Sequence, residues 1–213
     1  MKKLLALSAL AFAVPAQSAV VVSFQNGASV LPAGTTIFQN FNSLATGSSI
    51  GSNAFVYNSD ILGVAARPAF GSTGNYGAVR GDPTGTYNVA FGTAVSIFSF
   101  ALGSLDTYNR LTLILDSGPN LVLNGAQINQ GIIADGNQLN GLTNGRVTYT
   151  VTGGGPNIIG ATFQSIGQNS FEFDDLAVAA IPEPSTWLMM LMGFAAVGFG
   201  MRRRNAQGTP AVA

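Results

Sequence analysis

Between residues 20 and 180 no window of 12 or more residues carries a helical period. The stretch is instead a series of short apolar runs cut apart by residues that force turns. The cuts are Gly81-Asp82-Pro83, Asp116-Ser117-Gly118-Pro119, Asn124-Gly125, Asn140-Gly141, Asn144-Gly145 and Gly153-Gly154-Gly155-Pro156. Glycine and asparagine tolerate positive φ and proline fixes φ, so each cut allows a tight reversal. The runs between them are rich in Val, Phe, Thr and Tyr, which suit a pleated surface. They predict ten strands: Val20–Phe24, Thr35–Phe38, Ala54–Tyr57, Thr86–Phe91, Val95–Leu102, Arg110–Asp116, Asn120–Leu123, Arg146–Thr152, Gly160–Gln164 and Ser170–Val178. Leu111, Leu113 and Leu115 alternate with Arg110, Thr112 and Asp116; Val147, Tyr149 and Val151 alternate with Arg146, Thr148, Thr150 and Thr152. One dry and one wet face per strand is the mark of antiparallel pairing. The expected fold class is all-β, an antiparallel two-sheet sandwich of jelly-roll type.

The two ends differ from this middle. Residues 1–19, MKKLLALSALAFAVPAQSA, give a basic start, an apolar run from Leu4 to Val14, then Pro15 and small residues. That layout is a secretory signal peptide, with cleavage after Ser18 or Ala19. The run is too short to span a bilayer, which needs about 20 residues. At the other end, residues 182–204 read PEPSTWLMMLMGFAAVGFGMRRR. The uncharged run Thr186–Met201 would be about 24 Å long as a helix. It is bounded by Trp187 on one side and Arg202, Arg203 and Arg204 on the other. An interfacial indole and a cytoplasmic basic cluster orient such a segment with its C-terminus inside. The expected organisation is a signal peptide (1–19), a β-sandwich ectodomain (20–180), a short transmembrane helix with an Arg cluster (181–204) and a disordered tail (205–213).

Composition removes several function classes. There is no Cys and no His, so thiol and imidazole catalysis and Cys/His zinc sites are excluded. Charged residues make up 8% of the chain, against about 25% in ordinary globular chains. Between residues 20 and 181, Arg67, Arg80, Arg110 and Arg146 face eight acids, Asp60, Asp82, Asp106, Asp116, Asp135, Glu172, Asp174 and Asp175. Four bases against eight acids give a net charge of −4, with no Lys. Nucleic-acid binding needs a basic footprint and is rejected.

The order Pro182-Glu183-Pro184, Trp187, a short apolar helix and an Arg cluster resembles the PEP-CTERM sorting signal. The resemblance implies export, a transient inner-membrane intermediate and recognition of the Pro-Glu-Pro by exosortase. It further implies loss of the apolar tail and delivery to the cell surface or exopolysaccharide (biofilm) matrix of a Gram-negative bacterium. Asn205–Ala213 extend beyond the usual end of such signals. Two local stretches, Phe98–Asn109 (FSFALGSLDTYN) and Phe171–Val178 (FEFDDLAV), resemble segments of PEP-CTERM surface proteins and of the last strand of jelly-roll domains, carbohydrate-binding modules included.

Candidate chemistry is sparse. A calcium ion takes oxygen ligands alone, and Asp106, Asn109, Asp174 and Asp175 are its candidate ligands, against the simpler reading that Asp and Asn cap turns. Tyr76 and Tyr108, in Gly- and Asn-rich segments, are candidate sugar platforms. Glu172 and Asp174 share a strand face and could form a hydrolytic carboxylate pair; the simpler reading is the wet side of a strand. No phosphate loop or nucleophile elbow occurs. The expected function is a non-catalytic surface or matrix protein. A lectin-like module for exopolysaccharide is the alternative, and a glycan hydrolase a more distant one.

Overall fold

In the computed structural model residues 19–181 and 184–206 are described. They fall into two units, one ending at Ala180 and one beginning at Ile181. The first unit is built on one long strand, β6 below. Eleven strands run in chain order: β1 (Ala19–Asn26), β2 (Thr36–Gln39), β3 (Ser49–Gly51), β4 (Ala54–Tyr57), β5 (Tyr76–Val79), β6 (Gly85–Leu102), β7 (Asn109–Leu115), β8 (Leu121–Asn124), β9 (Gly145–Thr152), β10 (Ile158–Ser165) and β11 (Phe171–Ala180). A 3-10 turn, Gly125–Asn129, follows β8. All strand pairs are antiparallel.

The sequence suggested two strands where β6 is one of 18 residues. Gly92 and Thr93 read as a break, but Gly92, at φ 73°, bends the strand without ending it. The register against β10 shifts there, from Ala90↔Gly160 to Val95↔Ile158. Before the bend, β6 pairs with β10, which carries β7 and then β8. After the bend, β6 lies between β9 and β11, with Phe98 opposite both Tyr149 and Val178. β1 adds outside β9. β11 takes β2 at its C-terminal end and β5, β4 and β3 at its N-terminal end. A strand that changes layer at a bulge is how a continuous sheet turns a corner and packs on itself.

Aromatic rings fill the space between the layers. Phe163 of β10 meets Phe100 of β6 at 5.0 Å and Phe173 of β11 at 4.2 Å between ring centroids. Tyr87, before the bend, stacks on Phe173 at 5.2 Å. Leu111 and Leu113 of β7 belong to the same cluster as Val147 and Tyr149 of β9. Each such side chain contributes about 1.5–3 kcal/mol by leaving water. The all-β expectation is met as an antiparallel, two-layered sandwich.

One of the two alternations misleads: the expected wet face of β9 holds Arg146 and Thr148, yet Arg146 is 1% exposed and Thr148 is buried, whereas β7 alternates as expected. β9 is covered on both faces, so alternation there separates apolar from polar but not dry from wet. β3 and β5 have no counterpart among the expected strands; at β5, Gly74-Asn75-Tyr76-Gly77 reads as loop. Of the expected signal peptide (1–19), residues 1–18 lie outside the described residues, as does the segment 207–213, while Ala19 opens β1.

Candidate functional site

One group of polar residues of the first unit lines a single cavity. It encloses about 240 Å3 and is walled by residues 63–66 of the β4–β5 loop, the β6–β7 turn, residues 135–138 and the start of β11. Asp106, Asp135 and Glu172 line it, with Ser104, Tyr108 and Asn169.

Glu172 sits between Phe171 and Phe173 and is 2% exposed. The backbone N–H of Ala66 donates to Oε1 at 3.1 Å, and the Ser170 hydroxyl donates to the same oxygen. The Ser104 hydroxyl donates to Oε2 at 2.9 Å. Burial pushes this carboxyl up from its ordinary range, with the three hydrogen bonds opposing. Its partners are a backbone amide and two hydroxyls, so no cation compensates the charged form.

Asp106 has a comparable environment. The Tyr108 hydroxyl lies 2.6 Å from its Oδ2 and 2.5 Å from the carbonyl of Asn169. One phenolic proton cannot serve both acceptors. Burial pushes the Asp106 carboxyl up, Tyr108 opposes, and the charge of Asp135 adds to the rise. Gly136 closes this side of the cavity, at φ 68°; a Cβ there would stand 2.3 Å from Asp106 Oδ1.

Asp174, two residues beyond Glu172, is fully buried. It accepts from the Ser72 hydroxyl at 2.6 Å and from the Asp175 N–H at 2.7 Å. Burial raises its carboxyl to about 7, against those two bonds. Asp175 breaks the strand alternation at φ 47° and starts a register shift against β6. Burial pushes its carboxyl up, and Arg146 opposes. Buried Arg146 donates to the Asp175 carbonyl at 3.2 Å, to Ser99 Oγ at 3.3 Å and to Ser29 Oγ at 3.1 Å. Burial lowers its pKa, and the charges of Asp175 and Asp174 oppose.

Several expected site residues are therefore corrected. Asn109 is no free ligand: its Oδ1 accepts the Asp106 N–H at 2.8 Å and its Nδ2 donates to the Ser170 carbonyl at 3.1 Å. Asp106 and Asn109 close a turn, while Asp174 and Asp175 bind Ser72 and Arg146. Among the described residues no group of three or more His, Cys, Asp or Glu side chains is placed to hold a metal. Tyr76 is no platform either. It lies in β5, fully buried, with its hydroxyl donating to the Ser59 carbonyl at 2.9 Å and its ring 5.9 Å from Tyr57. Tyr108 does reach the cavity, half-buried. Glu172 and Asp174 are not the wet side of a strand, since the β4–β5 loop covers them.

The second unit is a helix, α1 (Pro184–Ala206), with Leu188, Leu191, Phe194 and Val197 exposed along it. It continues through Arg202–Arg204 to Ala206, so the first residues of the expected tail are helical; arginine and alanine are good helix formers. The expectation of a transmembrane helix is not met: among the described residues no helix is long and apolar enough to cross a membrane. The apolar run is shorter than a hydrocarbon core of about 30 Å, and Gly193, Gly198 and Gly200 dilute it. The PEP-CTERM protein-sorting motif matches residues 180–204. This chain carries a PEP-CTERM sorting signal. In that signal Pro184 opens α1 and Arg202–Arg204 lie in its last turns, while Pro182 and Glu183 fall outside the described residues. The PEP-CTERM match begins at the last residue of β11. No curated protein and no solved structure matches the chain. The PEP-CTERM signal implies exosortase-dependent export and membrane-transit sorting in Gram-negative bacteria.

The cavity was not read from the sequence. Its one signal was Glu172, the only Glu before the sorting motif, set between two phenylalanines.

Proposed function

We propose that this protein is a non-catalytic component of the cell surface or extracellular matrix, trimmed by exosortase at the Pro182–Pro184 segment after export. The observation that carries the reading is the sorting motif placed directly behind the last strand of a β-sandwich. An apolar run too short for stable spanning suits a transient membrane intermediate, released by cleavage. The absence of Cys and His supports a non-catalytic role. The bonding of Glu172 supports it too, because its carboxyl is taken up by the Ala66 amide and the Ser104 and Ser170 hydroxyls. The two-layered antiparallel build supports a sandwich of jelly-roll type.

A lectin-like reading is favoured by one observation, the cavity itself. Its walls offer carboxyl, amide and hydroxyl groups suited to a hydroxyl-rich ligand such as an exopolysaccharide residue, with Tyr108 the one aromatic beside them. Mass spectrometry of the protein recovered outside the cell tests the main reading. A mature chain beginning at Ala19 or Val20 and lacking α1 is expected; a released chain retaining residues 185–213 would overturn it.

A further inference from the structure

β1 lies on the outside of β9 in an unbroken register, from Ala19↔Thr152 to Asn26↔Gly145. Among the described residues no other strand pairs with β1. One position past that register, the Gly27 N–H donates to the Asn144 carbonyl at 3.1 Å. Backbone direction alternates along an antiparallel ladder, so the odd-numbered residues of β1 turn their N–H and C=O groups to β9. Val20, Val22 and Phe24 turn theirs to the open edge. Their side chains face the core cluster but stay only half-buried, because the edge leaves one flank uncovered. Sheets blunt such edges with short strands, charges, proline or bulges. The other strands with a single partner are short: β2, β3 and β8 have four, three and four residues. β1 has eight, AVVVSFQN, with no charge, no proline and no bulge. Beside its start opens a mainly apolar slot of about 340 Å3, walled by Ala19, Val20, Leu115, Pro119, Leu121 and Pro156.

We propose that the free edge of β1 pairs with β1 of a second copy of this chain, antiparallel and centred on Val22, so that one continuous sheet joins two sandwiches. A two-fold axis normal to the sheet keeps each face on its own side, so only residues of the same parity meet. With the axis at Val22, Val22 meets Val22 of the second copy and Val20 meets Phe24 of the second copy. These are the residues whose backbone groups face the edge, and their pairing supplies about six backbone hydrogen bonds. The same register sets Phe24 of the second copy beside Val20, about 5 Å away between Cβ atoms, at the mouth of the apolar slot. Symmetry repeats the contact on the other side, one ring to each slot. The lack of charge on β1 favours its own copy as the occupant, since a charged edge would set like against like across the axis. A strand of another protein would have to match this spacing separately, whereas the two-fold pairing supplies it by symmetry. Residues 19–25 of each copy span about 24 Å. That is an interface at the small end of the stable range, and roughly micromolar association is expected of it.

Sedimentation velocity of the exported protein, as recovered from its host and at about 1–300 μM, tests this. A monomer–dimer equilibrium is expected of the wild type. Val22→Pro removes an N–H that faces the open edge, where proline is tolerated, and should weaken the dimer at least about tenfold. Should that variant fail to fold, Val21→Lys decides: position 21 is exposed and outside the core, and a lysine there should weaken the dimer by a similar factor. The register has its own readout, because the chain contains no Cys. Val21 of one copy faces Ser23 of the other, so Val21→Cys chains mixed with Ser23→Cys chains should form a disulfide-linked heterodimer in preference to either homodimer. A wild type that stays monomeric at every concentration overturns the proposal, as does a Ser23→Cys chain that cross-links in the host to another protein instead. A dimer unaffected by the β1 variants, or cross-linking with no preference for the mixed pair, places the contact elsewhere and overturns it too.

Discussion

Phe163 is the residue whose loss should most weaken the sandwich. Its ring has five aromatic neighbours: Tyr87, Phe98, Phe100, Phe171 and Phe173, at 5.9, 6.3, 5.0, 5.3 and 4.2 Å. These neighbours sit on both halves of β6 and on β11, so the ring joins the two layers. Truncation to alanine removes the buried ring and leaves a cavity, which costs about 3–5 kcal/mol. The upper end is expected, because hydrogen-bonded strands frame the hole and cannot collapse into it. At about 2–4 °C per kcal/mol for a domain of this size, Tm should fall by roughly 8–20 °C. Phe163→Leu, which keeps most of the volume, should cost no more than about 1.5 kcal/mol. Phe38, 42% exposed with Phe91 5.7 Å away, supplies the control, and Phe38→Ala should cost under about 1 kcal/mol. Urea unfolding of the three variants measures the differences directly, with an unchanged slope showing that the same surface is exposed. If Phe163→Ala loses less than about 1 kcal/mol, or no more than Phe38→Ala, the aromatic seam does not hold the layers together.

Two further predictions concern the polar side. Asn144 is fully buried; its Oδ1 accepts from the N–H groups of Ser104 and Ala69, and its Nδ2 donates to the carbonyls of Asn137 and Asn140. Asn144→Ala strands these backbone groups and should cost roughly 2–4 kcal/mol in denaturant unfolding, whereas a loss below about 0.5 kcal/mol would show that water replaces the amide. Asp174→Asn should be nearly neutral near pH 4. Near pH 7.5 it should stabilise by up to about 4 kcal/mol, because the wild-type carboxyl, raised from 3.8 to about 7, has by then lost its protonated form; an equal Tm difference at both pH values would contradict the assigned burial.

Much of the sandwich was legible because its strands obey local rules. β7 announces itself by Leu111, Leu113 and Leu115, and β9 by Val147, Tyr149 and Val151. Asn-Gly and Gly-Pro turns mark where strands end. What the pattern cannot carry is which strands pair, or what lies on a polar face. Arg146, Glu172 and Asp174 look like solvated residues in any window of ten. They are buried because β1, residues 58–75 and the β6–β7 turn cover them, and those segments are distant in sequence: Glu172 and Ala66 are 106 positions apart. Asp175, at positive φ, breaks the period of β11 in the middle of what reads as a regular strand. Tyr76 failed as a site for the converse reason, since glycines beside it allow close strand packing as well as a loop. The sorting motif was fully legible, being a linear signal whose parts lie within 25 residues.

The most direct test of the account is fractionation of the native host expressing the wild-type chain beside a variant with Pro182, Glu183 and Pro184 all replaced by alanine, with intact masses of the recovered proteins. The account predicts wild-type protein outside the cell without its apolar helix, and variant protein held in the inner membrane with residues 185–213 intact. Wild-type and variant chains found in the same compartment at the same processed length would contradict it.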